Sequence, residues 1–449
     1  MKENNYTAQF VAAIYKSAPL ISEVAVSEAK KGVLDFLASC FAAKDEKSVQ
    51  NLVDFTLAEG GTPTAPVIGQ HTLTSDLQAA FLNGFIGHYL DFDDVHAEVR
   101  GHPSTVILPA LLALASCKNM SYRHFLNSYI IGVETMARIG RTIGAWHYER
   151  GWHNTSTLGS IGAAAATSFA LQLPQEKFAV ALGIAATQSS GLRGQFGTEV
   201  KPLHAGLAAR NGLLATKIAE SGAISGSSTM LENFYSVYSE NKKVPEDLAV
   251  GWGLEWSIVS PGLWFKIYPC CSAAYHTIDA AKKLRQNHSI SLDDIAAVNI
   301  VFPTGGDAAL ISTHPKTGEE GRFSAEYVCA IILTEGKITA HHFDAREPSK
   351  KIKELMRKMQ RVYSKSIRPA PHAVPKGRFT IVEVETKHGE VYTARCDAPE
   401  GSSANPLSVE RLHDKLAQHV PCSIPLQTLV DCIQKAEYTA PLIDLLKEK

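Results

Sequence analysis

Residues 159–173 read GSIGAAAATSFALQL. The run is apolar nearly all the way round a helix, so it needs protein on several sides, and its small side chains let neighbouring helices approach closely. It is too short for a membrane span and is interrupted by Ser160 and Thr167. A helix of this kind belongs at the centre of a helical body. Residues 178–189 and 206–221 continue the style. Further out, Val33, Phe36, Leu37, Cys40 and Phe41 fall at i, i+3, i+4, i+7 and i+8, one face of a helix. Phe125, Tyr129, Val133 and Met136 trace a similar face, with Ser121 placed as its N-cap. No strong strand signal precedes about residue 290.

The pattern then changes. Val298, Ile300 and Phe302 alternate along a strand that stops at Pro303. Residues 379–386 and 390–396 are two β-rich runs joined by Lys387, His388 and Gly389, as in a hairpin. Helical stretches are expected between them over 324–334 and 350–363, and the prolines at 369, 371 and 375 mark a connecting loop. After a polar break at 399–406 the tail reads helical again from Ser408. The expected fold class is therefore mostly α: a large helical domain built from both chain ends (1–267 and 403–449), and a smaller α+β lid domain over 268–402.

Bulk composition agrees. A chain of 449 residues is too long for one simple core, so two domains are the prior. Lys+Arg is 44 and Asp+Glu is 45, which leaves no basic surplus to hold a nucleic acid. No run is a membrane span, and Met1–Thr7 lacks the basic-then-apolar order of a signal peptide. The eight Cys are scattered without zinc-ribbon or disulfide-scaffold spacing, which points to free thiols in a reducing cytoplasm.

Four clusters carry chemistry. In the first, His88, Asp91, Asp93, Asp94, His96 and His102 crowd into fifteen positions. These residue types suit a metal, although no recognised ligand spacing is present, and Asp side chains also cap helices. His102 stands before Pro103 at the mouth of a helix, where the dipole favours the neutral imidazole that a general base needs. The second cluster runs from His147 and Tyr148 through Trp152 and His153 to Thr157, polar groups leading into the buried Ala-rich helix. In the third, Lys201 and His204 lie where a glycine-bearing loop meets a helix, and a partly buried Lys suits a carboxylate or an oxyanion. In the fourth, Lys266 precedes Pro269–Cys270–Cys271; if Pro269 opens the helix through His276, Cys271 sits in its first turn, where the dipole lowers a thiol pKa. Tyr327, beside Glu326 on an apolar helix, can face core or cleft.

Together these strings resemble the MmgE/PrpD family: HYLDFDD at 88–94, GHPS at 101–104, GWHNTSTLG at 151–159, KPLHAGLAARNG at 201–212, KIYPCC at 266–271, and 323–327 before an apolar helix. The resemblance runs from about residue 8 to the end of the chain. It implies a helical domain with an α+β lid, a homodimer, and no metal or organic cofactor. It also implies an active site between domain and lid that acts on a small polycarboxylate and draws on Asp91, His102, His153, Lys201, Lys266 and Tyr327. Members include 2-methylcitrate dehydratase, cis-aconitate decarboxylase and iminodisuccinate epimerase. Cys271, where the decarboxylases carry His, and Val95, where they carry a Thr-like residue, depart from the decarboxylase pattern. The strings around Arg100–Pro103, Tyr148 and Trp152–Thr157 look more like the epimerase branch.

The resulting expectation is a cofactor-free enzyme working at the carbon beside a carboxylate. His102 is the base, Lys201 and Lys266 meet the developing oxyanion, and Tyr148 or Tyr327 delivers a proton from the other face. Asp91, His153, His204 and Cys271 bind substrate or orient these groups. Epimerisation, elimination and decarboxylation all fit one such constellation. A catalytically silent polycarboxylate-binding protein is the alternative outside enzymes.

Overall fold

The structure, a computed structural model, describes residues 5–447, apart from the side chain of residue 340. The expectation of no signal peptide falls largely on residues 1–4, outside the described residues. The chain divides into two compact units, one made of residues 1–265 and 408–449, the other of 266–407. Among the described residues no single helix is long and apolar enough to cross a membrane.

The first unit is helical. It opens with α1 (Tyr6–Ser17), α2 (Glu23–Ala43) and α3 (Lys47–Ala58), followed by the short hairpin β1 (Ala65–Val67) and β2 (Thr72–Thr74). Next come α4 (Asp76–Tyr89), the two-residue β3 (Val95–His96), α5 (Ser104–Cys117) and α6 (Tyr122–Glu149). Then follow α7 (Asn154–Thr157), α8 (Gly159–Ala170), α9 (Gln175–Thr187), α10 (Val200–Ser221) and α11 (Met230–Tyr238), and β4 (Leu263–Trp264) pairs back onto β3. These four short strands correct the expectation of none before 290; two- and three-residue bridges leave no alternation for a sequence pattern to show.

Serine side chains start several helices. Ser22, Ser75 and Ser121 each accept a backbone N–H two positions into α2, α4 and α6. Every residue of α8 is buried, as its all-round apolar pattern requires. α10 packs along both α8 and α4. The approach to α4 is very close: a Cβ added at Gly206 would stand 2.3 Å from the carbonyl oxygen of Phe81, and one added at Gly84 would stand 2.8 Å from the Cα of Gly206. This contact brings the first turn of α10, with Lys201, beside the C-terminal end of α4.

The second unit contains α12 (Tyr275–Asn287), β5 (Ile295–Pro303), α13 (Gly318–Gly321), α14 (Ala325–Glu335), α15 (Lys350–Met356), β6 (Met359–Ser364), β7 (Thr380–Thr386) and β8 (Val391–Cys396). The sheet order is β6-β5-β7-β8; β6 runs parallel to β5, and the other pairs are antiparallel. α12 covers β7 and β8. The expected helix over 350–363 ends at Met356, and its last third is the edge strand β6. Ile352, Leu355, Met356 and Met359 keep helical spacing across that boundary, which is why the sequence misleads. A long-range contact decides against the helix: from β6 the Arg361 guanidinium pairs with Glu326 (2.7 Å) and Asp307 (2.9 Å) and donates to the carbonyls of Leu310 and Ser312. The tail then returns to the first unit as α16 (Val409–Ala417), α17 (Leu426–Lys435) and α18 (Ala440–Lys447), with Ser408 capping α16.

Candidate active site

The site in the helical unit begins where α4 stops. Asp91 takes a left-handed backbone (φ 53°), and its N–H returns to the His88 carbonyl at 3.1 Å. An L-residue held there stores on the order of 1 kcal/mol, and Asp tolerates it better than most. The following loop closes on itself: His96 N–H donates to Gly101 O, Arg100 N–H to His96 O (both 2.9 Å), and Arg100 is also left-handed (φ 54°). His102 N–H then donates to the Thr155 hydroxyl at 3.1 Å, and Pro103 caps α5. Beneath, Asp94 accepts the Ser104 backbone N–H (3.3 Å) and the Ser104 hydroxyl, so this Asp does cap a helix. Burial and the neighbouring Asp35 push the Asp94 carboxyl well above its ordinary value.

Above this footing runs a chain of alternating side chains. His88 Nδ1 lies 2.9 Å from both oxygens of Asp93. Asp93 Oδ2 lies 3.3 Å from His102 Nδ1, His102 Nε2 lies 3.5 Å from Asp91 Oδ1, and that same oxygen accepts from Lys201 Nζ at 2.6 Å. His102 thus has a carboxylate at each ring nitrogen, and Asp93 an imidazole at each oxygen. All five side chains are buried. Burial lowers His88 to about 3, so its ring is neutral and its Nδ1–H donates to Asp93. Burial opposes ionisation of Asp93, but His88 and His102 overcome it and hold Asp93 well below the usual carboxylate range. With two carboxylates and one ammonium, the chain balances in charge when an imidazole carries one extra proton.

His153 adjoins the chain, its ring nearly parallel to that of His88 at 6.0 Å, and His204 adjoins His153. Of the residues expected in a site, Asp91, His102, His153, Lys201 and His204 therefore meet in the helical unit. Tyr148 lies in the last turn of α6, past a break at Gly144 (φ 79°), with the Arg193 guanidinium 3.7 Å over its ring. Its neighbour His147 is structural, bonded to Thr157 Oγ1 (2.8 Å) and the Tyr238 carbonyl (3.0 Å).

The remaining three residues belong to the second unit. Lys266 is its first residue and is buried, rather than closing the helical domain as expected. Cys271 is the N-cap of a 3₁₀ turn over Ser272–Ala274 and α12 starts only at Tyr275, so the thiol lies outside the first turn of α12, where its dipole was expected to act. Tyr327 is a core residue. Its hydroxyl donates to the His342 carbonyl at 2.5 Å, and burial pushes the phenol up to about 12.

His88 and Asp93 were seen in the sequence only as members of a crowded cluster, and the reading stopped at Asp91 and His102. The signal that could have found them is their place at a helix end, five residues apart. Lys415 was missed outright. From α16 it reaches Asp35 Oδ1 and the Phe92 carbonyl, both at 2.7 Å, and so fastens the loop carrying the site; a Lys on an amphipathic helix gives no sign of this.

His88, Asp91, Asp93 and His102 offer ligand atoms within 4.8 Å of one another, as a metal site would. Asp91 Oδ1 and His88 Nδ1 are already engaged, with Lys201 and Asp93, whereas His88 Nε2 has no hydrogen-bond partner among the described residues. A divalent cation on Asp91 would have to displace the Lys201 ammonium, which counts against a resident metal.

Comparison with known proteins places the chain in a family. The profile of the MmgE/PrpD N-terminal domain matches residues 6–247, and that of the MmgE/PrpD C-terminal domain matches 268–435. Among curated proteins, the cis-aconitate decarboxylase of Mus musculus is 26% identical over 436 residues, covering 92% of this chain and 86% of the relative. That of Homo sapiens is 27% identical over 440 residues (92% and 88%), and the cis-aconitate decarboxylase-like protein oryM of Aspergillus oryzae is 28% identical over 412 (85% and 83%).

Proposed function

The chain belongs to the MmgE/PrpD family, and on that footing we propose that it is an acid/base enzyme acting at the carbon beside a carboxylate of a small di- or tricarboxylate, with lyase chemistry first. The observation that carries this is His102, held between Asp91 and Asp93 in a buried chain that ends on Lys201. A hydrogen α to a carboxylate is a very weak acid, because its loss builds a second negative charge. A fixed ammonium on that charge and an imidazole that gives or takes the proton address the difficulty directly. Lys201 binds a substrate carboxylate, and His102 moves the proton. The extra proton that balances the cluster suits the acid half of the chemistry, delivery to a carbanion left by loss of CO₂ or of a β-substituent. His88 and Asp93 fix the His102 ring.

The curated relatives are named for decarboxylation of cis-aconitate, which supports the lyase order. Cys271 and Val95 stand where the decarboxylase pattern differs, so a related polycarboxylate is the preferred substrate class over cis-aconitate itself. Epimerisation is the second reading, favoured by the strings around Arg100–Pro103, Tyr148 and Trp152–Thr157. In either case the enzyme works as a cytoplasmic homodimer without a cofactor.

Proton NMR in D₂O containing EDTA tests this, with a panel of cis-aconitate, 2-methylcitrate, citrate, iminodisuccinate and succinyl-amino acids. New vinyl signals establish a lyase. Exchange of one α-hydrogen without loss of substrate establishes the epimerase. A folded sample whose Tm rises with a polycarboxylate that it never alters would replace both by the silent binding protein.

A further inference from the structure

His153 and His204 lie beside the Asp93–His102–Asp91 chain, and they face each other through the same ring atom, Nδ1 to Nδ1 at 3.2 Å. Two imidazoles so placed bond only when one Nδ1 carries a hydrogen and the other does not, so a single proton lies between them. The two rings differ in access. His153 is 2% exposed, at the inner end beside His88 and edge-on to Phe196 (4.9 Å), whereas His204 is only partly buried.

The backbone under both rings is held in place: the His153 backbone N–H donates to the Gly191 carbonyl at 3.0 Å, and Ser156 Oγ donates to the His204 backbone carbonyl at 3.2 Å. Gly191 itself presses on the outer ring: a Cβ there would stand 3.2 Å from His204 Cγ. Burial first, and the Lys201 ammonium second, hold both rings below the ordinary histidine value, His153 well below it. Each ring is therefore neutral and carries one N–H.

We propose that His204 and His153 form a proton relay between solvent and the buried cluster. A proton arriving at His204 Nε2 lets the His204 Nδ1 proton pass to His153 Nδ1, and the proton on His153 Nε2 passes to the neutral ring of the neighbouring His88, whose Nε2 has no other hydrogen-bond partner among the described residues. One proton enters, one departs, and no charge stays behind. The reverse sequence restores the starting tautomers when the site gives up a proton. His204 acts through His153 and is a positioning residue for the proton; it does not touch the reacting carbon. Its catalytic consequence rests on the acid/base function proposed above, because only a reaction that takes up or sheds protons needs the relay.

The test uses full-length protein with ¹⁵N-labelled histidine and the variant His204→Asn, whose amide nitrogen sits where Nδ1 was and keeps the hydrogen bond to His153 but cannot pass a proton on. The His153 ring proton should exchange with water about ten-fold or more slowly in the variant, and turnover should fall by about 10²-fold, with partial rescue by added imidazole. A structural role predicts neither slowed exchange in a variant that keeps the bond nor rescue. Ring-proton exchange equal to wild type in a folded His204→Asn, checked also in His204→Gln, would overturn the relay. Slowed exchange in a protein that alters no acid in the panel leaves the relay standing and removes the proposed function, so the two fail separately.

Discussion

At the scale of single residues, the site is governed by who neutralises whom. His102 has a carboxylate facing each ring nitrogen, and its expected role as proton carrier follows from that placement. His102→Asn should lower turnover by about 10²–10⁴-fold while the far-UV spectrum and Tm stay near wild type; turnover within a few-fold of wild type would put the proton on another group. Lys201 and Asp91 form a buried pair, and removing one partner strands the other. Lys201→Met should destabilise by about 3–5 kcal/mol in urea unfolding. Adding Asp91→Asn should recover most of the stability and none of the activity, which separates the ammonium's part in folding from its part in chemistry. The Tyr327 hydroxyl is spent on the His342 carbonyl, so Tyr327→Phe should cost about 1 kcal/mol and leave turnover unchanged within a few-fold. The sequence brought His102, Lys201, His153 and His204 forward because dense polar residues at helix ends are uncommon in an apolar setting. It kept Asp93 and His88 only as members of a crowded cluster, because burial and the loop's folding decide their roles, and it missed Lys415, whose partner 323 positions away leaves no local pattern.

At the scale of elements, the closeness of α4 and α10 sets the distance between Asp91 and Lys201. Gly84 and Gly206 allow that closeness, since any side chain at 206 meets the backbone of α4. Gly206→Ala should therefore destabilise by about 1–3 kcal/mol and also lower kcat/KM, although it lies away from the acid/base groups. Lost stability with unchanged kcat/KM would mean that the pair adjusts independently of the helix spacing. The glycine and alanine content of 159–173 and 206–221 made tight helix packing legible in the sequence. Which glycine faces which neighbour was not legible. Residues 350–363 show the converse limit: their apolar spacing is helical throughout, yet β6 forms because Arg361 finds Glu326 and Asp307 only from a strand.

At the scale of the whole molecule, several histidines are buried neutral, and this makes stability depend on pH. His88 is lowered to about 3, His147 to about 4, and His153 is also lowered, each first by burial. Their unfolded forms titrate near 6.5, so below that pH the unfolded chain binds more protons and stability falls as the solution is acidified. Asp94, whose carboxyl burial raises in the fold, works in the opposite direction. The net expectation is a fall of roughly 1–3 kcal/mol per pH unit between about pH 6 and 4, read from urea midpoints; a flat profile there would mean that these rings are solvated. By itself the sequence determined the mostly α class, the change of pattern near residue 290, the hairpin over 379–396 and the clusters that hold the site, because periodicity, caps and turn residues act over a few positions. Tertiary structure alone decided that Asp91 and Asp93 flank His102, that Asp94 caps α5 from a buried position, that the Tyr327 hydroxyl bonds the His342 carbonyl, and that Lys415 ties the tail to the loop at Phe92. The first three depend on burial and on how a short loop folds back, and Lys415 depends on a partner 323 positions away; neither is written in any short stretch of sequence.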